Sequence, residues 1–168
     1  KYNLNFTIYI DDDIYTLGIK EEIREKLVFK GINFKKITPE EISKLAHVNK
    51  IIIADTEERI KECVEKIKAD MSHKYNVVRS TPNFLEFLPK NANKGIALKA
   101  LVEYLKLDEK EIAAIGDEEN DLSMMEYAKY KIAMANANPI LLEQATFITL
   151  DQEHSGVAKA IEYLLLTS

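Results

Sequence analysis

Residues Ile112 to Asp121 read Ile-Ala-Ala-Ile-Gly-Asp-Glu-Glu-Asn-Asp, and this stretch decides how the second half of the chain is organised. Its apolar run is typical of a buried strand. The run ends at Gly116, a carboxylate cluster follows, and a helical pattern begins near Leu122. In an open parallel α/β sheet, ligands bind beyond the carboxyl ends of the strands. We therefore predict that Asp117 and Asp121 lie at a ligand-binding edge, where carboxylate oxygens can hold a divalent metal.

A lysine lies at the start of the helical stretch that precedes this strand. Asn93-Lys94-Gly95 opens an amphipathic segment that runs from Ile96 to Leu107. At a helix N-terminus, unpaired backbone N–H groups and the helix dipole favour phosphate. We therefore predict that Lys94 clamps a phosphate beside the carboxylate-held metal, an arrangement suited to phosphoryl chemistry.

Simpler interpretations of the same residues stay open. Taken alone, Lys94 is typical of an exposed surface lysine, and the acidic cluster is typical of caps for the helix that begins near Leu122. Asn136, at a later strand-to-helix turn, is interpreted as a cap of the following helix. A calcium loop counted from Asp117 fails, because leucine and alanine stand where an EF-hand needs glycine and glutamate.

Two other strand ends imitate a phosphoryl-transfer motif. Asp11-Asp12-Asp13 follows an apolar run, and the segment from Ile51 to Thr56 ends in Asp-Thr. We interpret the first as a hairpin turn between strands at Phe6 to Ile10 and Ile14 to Leu17. The second is interpreted as a strand followed by a helix cap. The three histidines are dispersed along the chain and lack the spacing of metal ligands.

Composition limits the class of protein. The chain has 168 residues, of which 46% are hydrophobic and 30% are charged, as is ordinary for a globular protein. The net charge is −5 and the basic residues are scattered, so nucleic acid and anionic membranes are not expected as partners. One cysteine excludes an internal disulfide, and no apolar run approaches the ~20 residues that span a bilayer. We therefore expect a cytoplasmic protein.

The pattern along the chain predicts two α/β parts. Residues 1–86 have the pattern of short strands with two helices, the first of them over residues 40–46. Residues 87–168 alternate strictly between helix and strand, which implies right-handed crossovers and a parallel sheet. We place the helices of this second part at residues 94–106, 120–129, 139–145 and 156–166, and its strands at 112–116, 131–135 and 146–150.

In this order and spacing, several strings resemble the haloacid dehalogenase superfamily, specifically the Cof-type phosphatases with a large α/β cap of the C2 type. Asn93 to Leu98 resembles the family's third motif, and Gly116 to Asp121 resembles its fourth, Gly-Asp-x-x-Asn-Asp. Ala133 to Ala137 and Gly156 to Ile161 resemble the two stretches that follow. The resemblance implies that the second part is the C-terminal half of a Rossmann-like core, and that the first is a partial cap domain.

The resemblance also implies roles for four residues and a reaction. Lys94 would bind the transferring phosphoryl group, and Asn120 would contact the phosphate. Asp117 would ligate Mg²⁺, and Asp121 would steady the lysine or a metal-bound water, which makes it part of both the catalytic and the metal site. The implied reaction is hydrolysis of a small phosphorylated metabolite through an aspartyl-phosphate intermediate. The chain departs from the family pattern at two positions. Ala135 stands where glycine is usual, and Ser155, just before Gly156, stands where an acidic residue is common.

The family's first two motifs, which supply the nucleophile, the general acid and a serine or threonine, are not found in the chain. Asp11-Asp12-Asp13 is followed by Ile-Tyr instead of Gly-Thr and aligns with a cap hairpin. We therefore expect a C-terminal fragment whose partner is the missing N-terminal part of the same protein. It should be inactive alone, because covalent phosphoryl transfer needs the attacking carboxylate.

Two other classes of protein share some of these features. A non-catalytic phosphate- or metal-binding α/β module would keep the anion site without the nucleophile, and it stays open as the alternative. A regulatory domain of the phospho-acceptor kind is disfavoured, because Lys94 precedes the acidic cluster, which is the wrong order for that class.

Overall fold

A computed structural model describes residue 2, residues 4–18 and residues 34–167. The chain divides into two units, Lys1–Asn91 and Ala92–Ser168. The boundary expected between residues 86 and 87 lies inside a strand, and the division instead follows Asn91. The α/β fold class expected from the sequence, with a parallel sheet in the second unit, is confirmed.

The first unit is built on one mixed sheet. Its described strands are β1 (Phe6–Ile10), β2 (Asp13–Thr16), β3 (Phe34–Lys36), β4 (Lys50–Ala54), β5 (Tyr75–Thr81) and β6 (Phe84–Pro89). The strand order is β3-β2-β1-β4-β6-β5, and all neighbours are antiparallel except β2 and β3. The expected hairpin turn after β1 is confirmed, because Ile10 pairs with Asp13 across it.

Two helices lie in the described part of this unit, α1 (Pro39–Ile42) and α2 (Glu57–Met71). The hydroxyl of Thr56 accepts the Arg59 N–H and caps α2. One stripe of α2 is buried with residues of β5 and β6, in a cluster made of Ile60, Val64, Ile67, Val77 and Leu85. The helix expected over residues 40–46 ends at Ile42, where the Ser43 hydroxyl donates to the Glu40 carbonyl.

The second unit alternates helix and strand as expected. Its elements are α3 (Lys94–Leu105), β7 (Ala113–Gly116), α4 (Leu122–Tyr127), β8 (Tyr130–Ala133), α5 (Pro139–Gln144), β9 (Phe147–Ile148) and α6 (Gly156–Thr167), with single 3-10 turns at Glu109–Glu111 and Glu119–Asp121. The strands form a parallel sheet in the order β7-β8-β9. Their carboxyl ends therefore meet at one edge.

Two elements of this unit are shorter than the pattern predicts by more than one residue. The helix expected over 120–129 is a 3-10 turn followed by α4, which ends before Ala128. It ends there because Lys129 and Tyr130 both donate their N–H groups to the Ile112 carbonyl and lead the chain into β8. The strand expected over 146–150 keeps only two residues, and Thr149 beyond it donates its hydroxyl to the Gly156 carbonyl.

The core of the second unit lies between the sheet and its helices. Its most buried members come from α3, β7, α4, β8 and α5, and include Val102, Ala114, Met125, Ala133 and Leu141. This packing holds the carboxyl edge of the sheet in place. No helix in the described part of the chain is long and apolar enough to cross a membrane.

Candidate active site

Lys94 and Asp121, distant in sequence, form an ion pair in the second unit. Lys94 is the first residue of α3, whose N-cap Asn93 accepts the Ile96 N–H at 2.7 Å. The Lys94 ammonium donates to Asp121 Oδ1. The side chain of Asp121 is 6% exposed and that of Lys94 is 50% exposed. The carboxylate is thus fixed inside the protein, and the ammonium still reaches solvent and any bound anion.

The second oxygen of Asp121 organises the loop after β7. Asp121 Oδ2 accepts the N–H of Asp117 at 3.0 Å and that of Glu118 at 3.3 Å. Gly116, the last residue of β7, makes this approach possible, because a Cβ there would lie 2.5 Å from the Asp121 Cβ. The backbone around residue 117 and the position of the ammonium are therefore set by the same carboxylate.

Asp117 leaves β7 at the carboxyl edge, where the sequence places it. Its carbonyl accepts the Asn138 N–H at 2.7 Å. Its carboxylate oxygen Oδ2 lies 3.5 Å from Asn136 Nδ2, in the turn after β8. Asp117 is part-buried, and its backbone N–H belongs to the same hydrogen-bond network as the ion pair. Asn120 is also part-buried, in the 3-10 turn that leads to Asp121.

The donor set suits a site that shares its metal with a phosphate. The described residues contain no group of three or more His, Cys, Asp or Glu side chains able to hold a metal by themselves. Mg²⁺ is usually held by one or two carboxylates together with water and substrate phosphate oxygens. Asp117 can supply such a carboxylate, while both oxygens of Asp121 already accept hydrogen bonds. The residues present therefore fit a Mg²⁺ ion that Asp117 would ligate directly.

One asparagine does not have the role that the sequence suggested. Asn138, and not Asn136, is the N-cap of α5, since its side chain accepts the Ile140 N–H at 3.2 Å. The interpretation of Asn136 as that cap is therefore wrong, and its amide approaches Asp117 instead. The proline that follows Asn138 was the available signal, because proline favours the first helical position.

Sequence inspection also missed a pairing that involves a histidine. His154 Nδ1 lies 2.6 Å from Asp151 Oδ1, in the loop that precedes α6. This hydrogen bond lowers the pKa of the Asp151 carboxyl below its ordinary value. The spacing Asp-x-x-His was the signal for the contact. Neither residue belongs to a group of three metal-binding side chains among the described residues.

Comparison with known proteins identifies the fold and its family. Residues 1–161 match the family model of haloacid dehalogenase-like hydrolases. The chain belongs to this family. The resemblance to its Cof-type phosphatases, read from the motif strings, is confirmed.

Relatives of this haloacid dehalogenase-like hydrolase are found among bacterial proteins. The chain is 39% identical over 135 residues to YxeH of Bacillus subtilis, a candidate phosphatase by name, covering 80% of this chain and 49% of that protein. It is 38% identical over 104 residues to the 5-amino-6-(5-phospho-D-ribitylamino)uracil phosphatase YwtE of the same organism, covering 61% of this chain and 36% of that one. The chain thus spans about half the length of YxeH and 36% of the length of YwtE.

A solved structure supports the family fold along nearly the whole chain. A haloacid dehalogenase-like hydrolase from Bacteroides thetaiotaomicron is 30% identical, with a TM-score of 0.73, over 97% of this chain and 62% of that one. The comparison covers both units of the chain.

Proposed function

We propose that the protein containing this chain is a Mg²⁺-dependent phosphatase that hydrolyses a small phosphorylated metabolite through an aspartyl-phosphate intermediate. The observation that carries the proposal is the ion pair of Lys94 with the buried Asp121 at the carboxyl edge of the sheet, next to Asp117. Cations and a metal-holding carboxylate at one edge are what a phosphoryl group in transfer requires.

Each residue of the site has a distinct part in the proposed reaction. The Lys94 ammonium contacts the transferring phosphoryl group and offsets the negative charge that spreads over its oxygens. Asp121 holds that ammonium and the Asp117 N–H, so it steadies the site without touching the phosphate. Asn120 contacts the phosphate through its side chain. A Mg²⁺ ion held by Asp117 would supply further positive charge against the phosphate.

The attacking carboxylate is proposed to come from a part of the protein outside these 168 residues. Two observations support this. The motif expected for a nucleophile is not found in the sequence, and the acidic run that imitates it lies in the hairpin turn between β1 and β2. The chain also covers 49% of its relative YxeH, which leaves room for such a segment in a longer protein.

The activity is tested on the complete protein, as encoded by its gene, with p-nitrophenyl phosphate and a panel of metabolite monoesters. We expect turnover that requires Mg²⁺, is abolished by EDTA and falls by roughly 10²–10³-fold in Lys94→Ala. The 168-residue chain alone should be inactive. Turnover by the short chain would contradict the missing nucleophile. A complete protein that binds phosphate but turns over no ester would favour the non-catalytic binding module.

A further inference from the structure

The two helices that begin at the site touch each other near their first residues. The N–H of Gly95, the second residue of α3, donates to the hydroxyl oxygen of Ser123 at 3.0 Å. Ser123 is the second residue of α4 and is part-buried. One end of this contact adjoins Lys94, and the other follows Asp121 by two residues. The contact therefore joins the two segments that carry the ion pair.

This contact gives the Gly95 N–H, near the start of α3, the acceptor that a capping residue would otherwise supply. The first N–H groups of a helix have no partner within the helix. Asn93 serves one of the others, because its side chain accepts the Ile96 N–H at 2.7 Å. The Gly95 N–H is satisfied instead by a side chain of another helix. Removal of the Ser123 hydroxyl would leave that donor without this acceptor.

The backbones at the contact are as close as glycine allows. A Cβ on Gly95 would lie 2.3 Å from the Ser123 carbonyl oxygen and 3.0 Å from the Ser123 Cβ. A side chain at position 95 would force the helices apart. The glycine and the serine hydroxyl together fix the distance between the start of α3 and the loop that ends at Asp121.

We propose that Ser123 is a positioning residue for the proposed phosphatase reaction, and that it holds the start of α3 so that the Lys94 ammonium lies between Asp121 and the phosphoryl group. The inference rests on the proposed function. Lys94 reaches Asp121 through a long, half-exposed side chain, so a shift of its backbone would move the ammonium relative to that carboxylate. Displacement of a reacting group by about 1 Å can cost 10²-fold in rate. Ser123 acts through Gly95 and does not contact the substrate.

The test compares Ser123→Ala with Thr146→Ala in the complete protein. The Thr146 hydroxyl also accepts a backbone N–H, that of Lys131 at 3.1 Å. Thr146 lies just before β9, at the amino ends of the strands and away from the proposed site. We expect Ser123→Ala to lower kcat by roughly tenfold to a hundredfold with KM little changed. Thr146→Ala should lose comparable thermal stability and keep its kcat. Amide hydrogen exchange at Gly95 should be faster in Ser123→Ala alone.

Either of two outcomes would overturn this role. One is wild-type kcat in Ser123→Ala, and the other is an equal loss of kcat in Ser123→Ala and Thr146→Ala. If Ser123→Ala does not fold, Ser123→Cys fills the same space with a weak acceptor and should lower kcat in the same direction. A cysteine variant with wild-type kcat would also contradict the role. A wild-type protein with no turnover on any ester would reject the proposed function first, and the role of Ser123 with it.

Discussion

Acidic residues follow an apolar strand in both units, with opposite results. In the second unit, Asp121 is almost wholly buried and accepts hydrogen bonds from a lysine and two backbone N–H groups. In the first unit, Asp11 follows β1 with a side chain that is 74% exposed and pairs with His47 at 3.3 Å. The same residue type thus forms the centre of a site in one case and a solvent-facing turn in the other.

The difference arises from the backbone that receives the carboxylates. After β7, a glycine lets the loop fold back so that its N–H groups point at one carboxylate. After β1, Asp11 has φ 51° and turns the chain directly into the antiparallel β2. A tight hairpin leaves its carboxylates facing water, whereas a strand-to-helix loop can gather donors around one of them. The kind of connection after the strand, an antiparallel hairpin after β1 or a strand-to-helix loop after β7, therefore distinguishes the two clusters better than their residue composition does.

The largest expected effect is on activity, and it compares Asp117→Asn with Asp12→Asn in the complete protein. Asp117 is proposed to hold the metal, and the asparagine oxygen that replaces its carboxylate carries no charge. We expect kcat/KM to fall by roughly 10²–10³-fold, or about 3–4 kcal/mol of transition-state stabilisation. Asp12 is exposed in the hairpin turn, so Asp12→Asn should leave kcat/KM unchanged. Equal losses in both variants would mean that the two clusters are not functionally different.

The next effect concerns stability, and it tests whether glycine makes the second cluster possible. In Gly116→Ala the new methyl group would meet Asp121 Cβ at 2.5 Å and Cγ at 2.9 Å. The loop must then move, which should lower the free energy of unfolding by about 1–3 kcal/mol. Urea titration followed by circular dichroism measures this loss. An unchanged unfolding midpoint would show that the loop accepts a side chain there and that the close approach is not required.

Much of this arrangement was predictable from the sequence, because it depends on order and period. The alternation of helix and strand after Pro89 predicts the parallel sheet, and the apolar runs predict where β7 and β8 end. The placement of Lys94 and Asp117 follows from the same pattern. What a one-dimensional pattern cannot provide is hydrogen-bond direction, such as the choice of Asp121 as acceptor for the Asp117 N–H.

Contacts between elements were the part that the sequence did not reveal. The hydrogen bond from Gly95 to Ser123 joins residues 28 positions apart and depends on how α3 packs against α4. The different roles of Asn136 and Asn138 depend on which residue precedes the first turn of α5. Asparagine is a favoured capping residue at both positions, and the proline after Asn138 is the one local signal that favours Asn138 as the cap.

A smaller effect is expected from the backbone of the hairpin turn. Asp11 adopts a left-handed conformation, which glycine takes without steric cost. Its N–H donates to Asn49 Oδ1 at 2.8 Å, and Asp11→Gly keeps this bond. We expect Asp11→Gly to change the free energy of unfolding by less than about 1 kcal/mol, since glycine also gives the unfolded chain more freedom. Asp11→Ala should be less stable than Asp11→Gly by about 1 kcal/mol. The reverse order would mean that the aspartate side chain, and not the backbone, supports the turn.

The smallest effect is the acid response of the same hairpin. The Lys35 ammonium donates to Asp13 Oδ2 at 2.5 Å and holds the pKa of the Asp13 carboxyl below its ordinary value of 3.8. A carboxyl whose pKa is lower in the folded state contributes stability above pH 3.8, and this contribution disappears as the pH falls through the lowered pKa. Asp13→Asn should therefore flatten the acid limb of the stability curve slightly. Both partners of the ion pair are exposed, so added salt should shrink the difference between wild type and Asp13→Asn. Identical acid limbs for wild type and Asp13→Asn at low salt would show that this ion pair contributes nothing to folding, and that the hairpin carboxylates serve only to turn the chain.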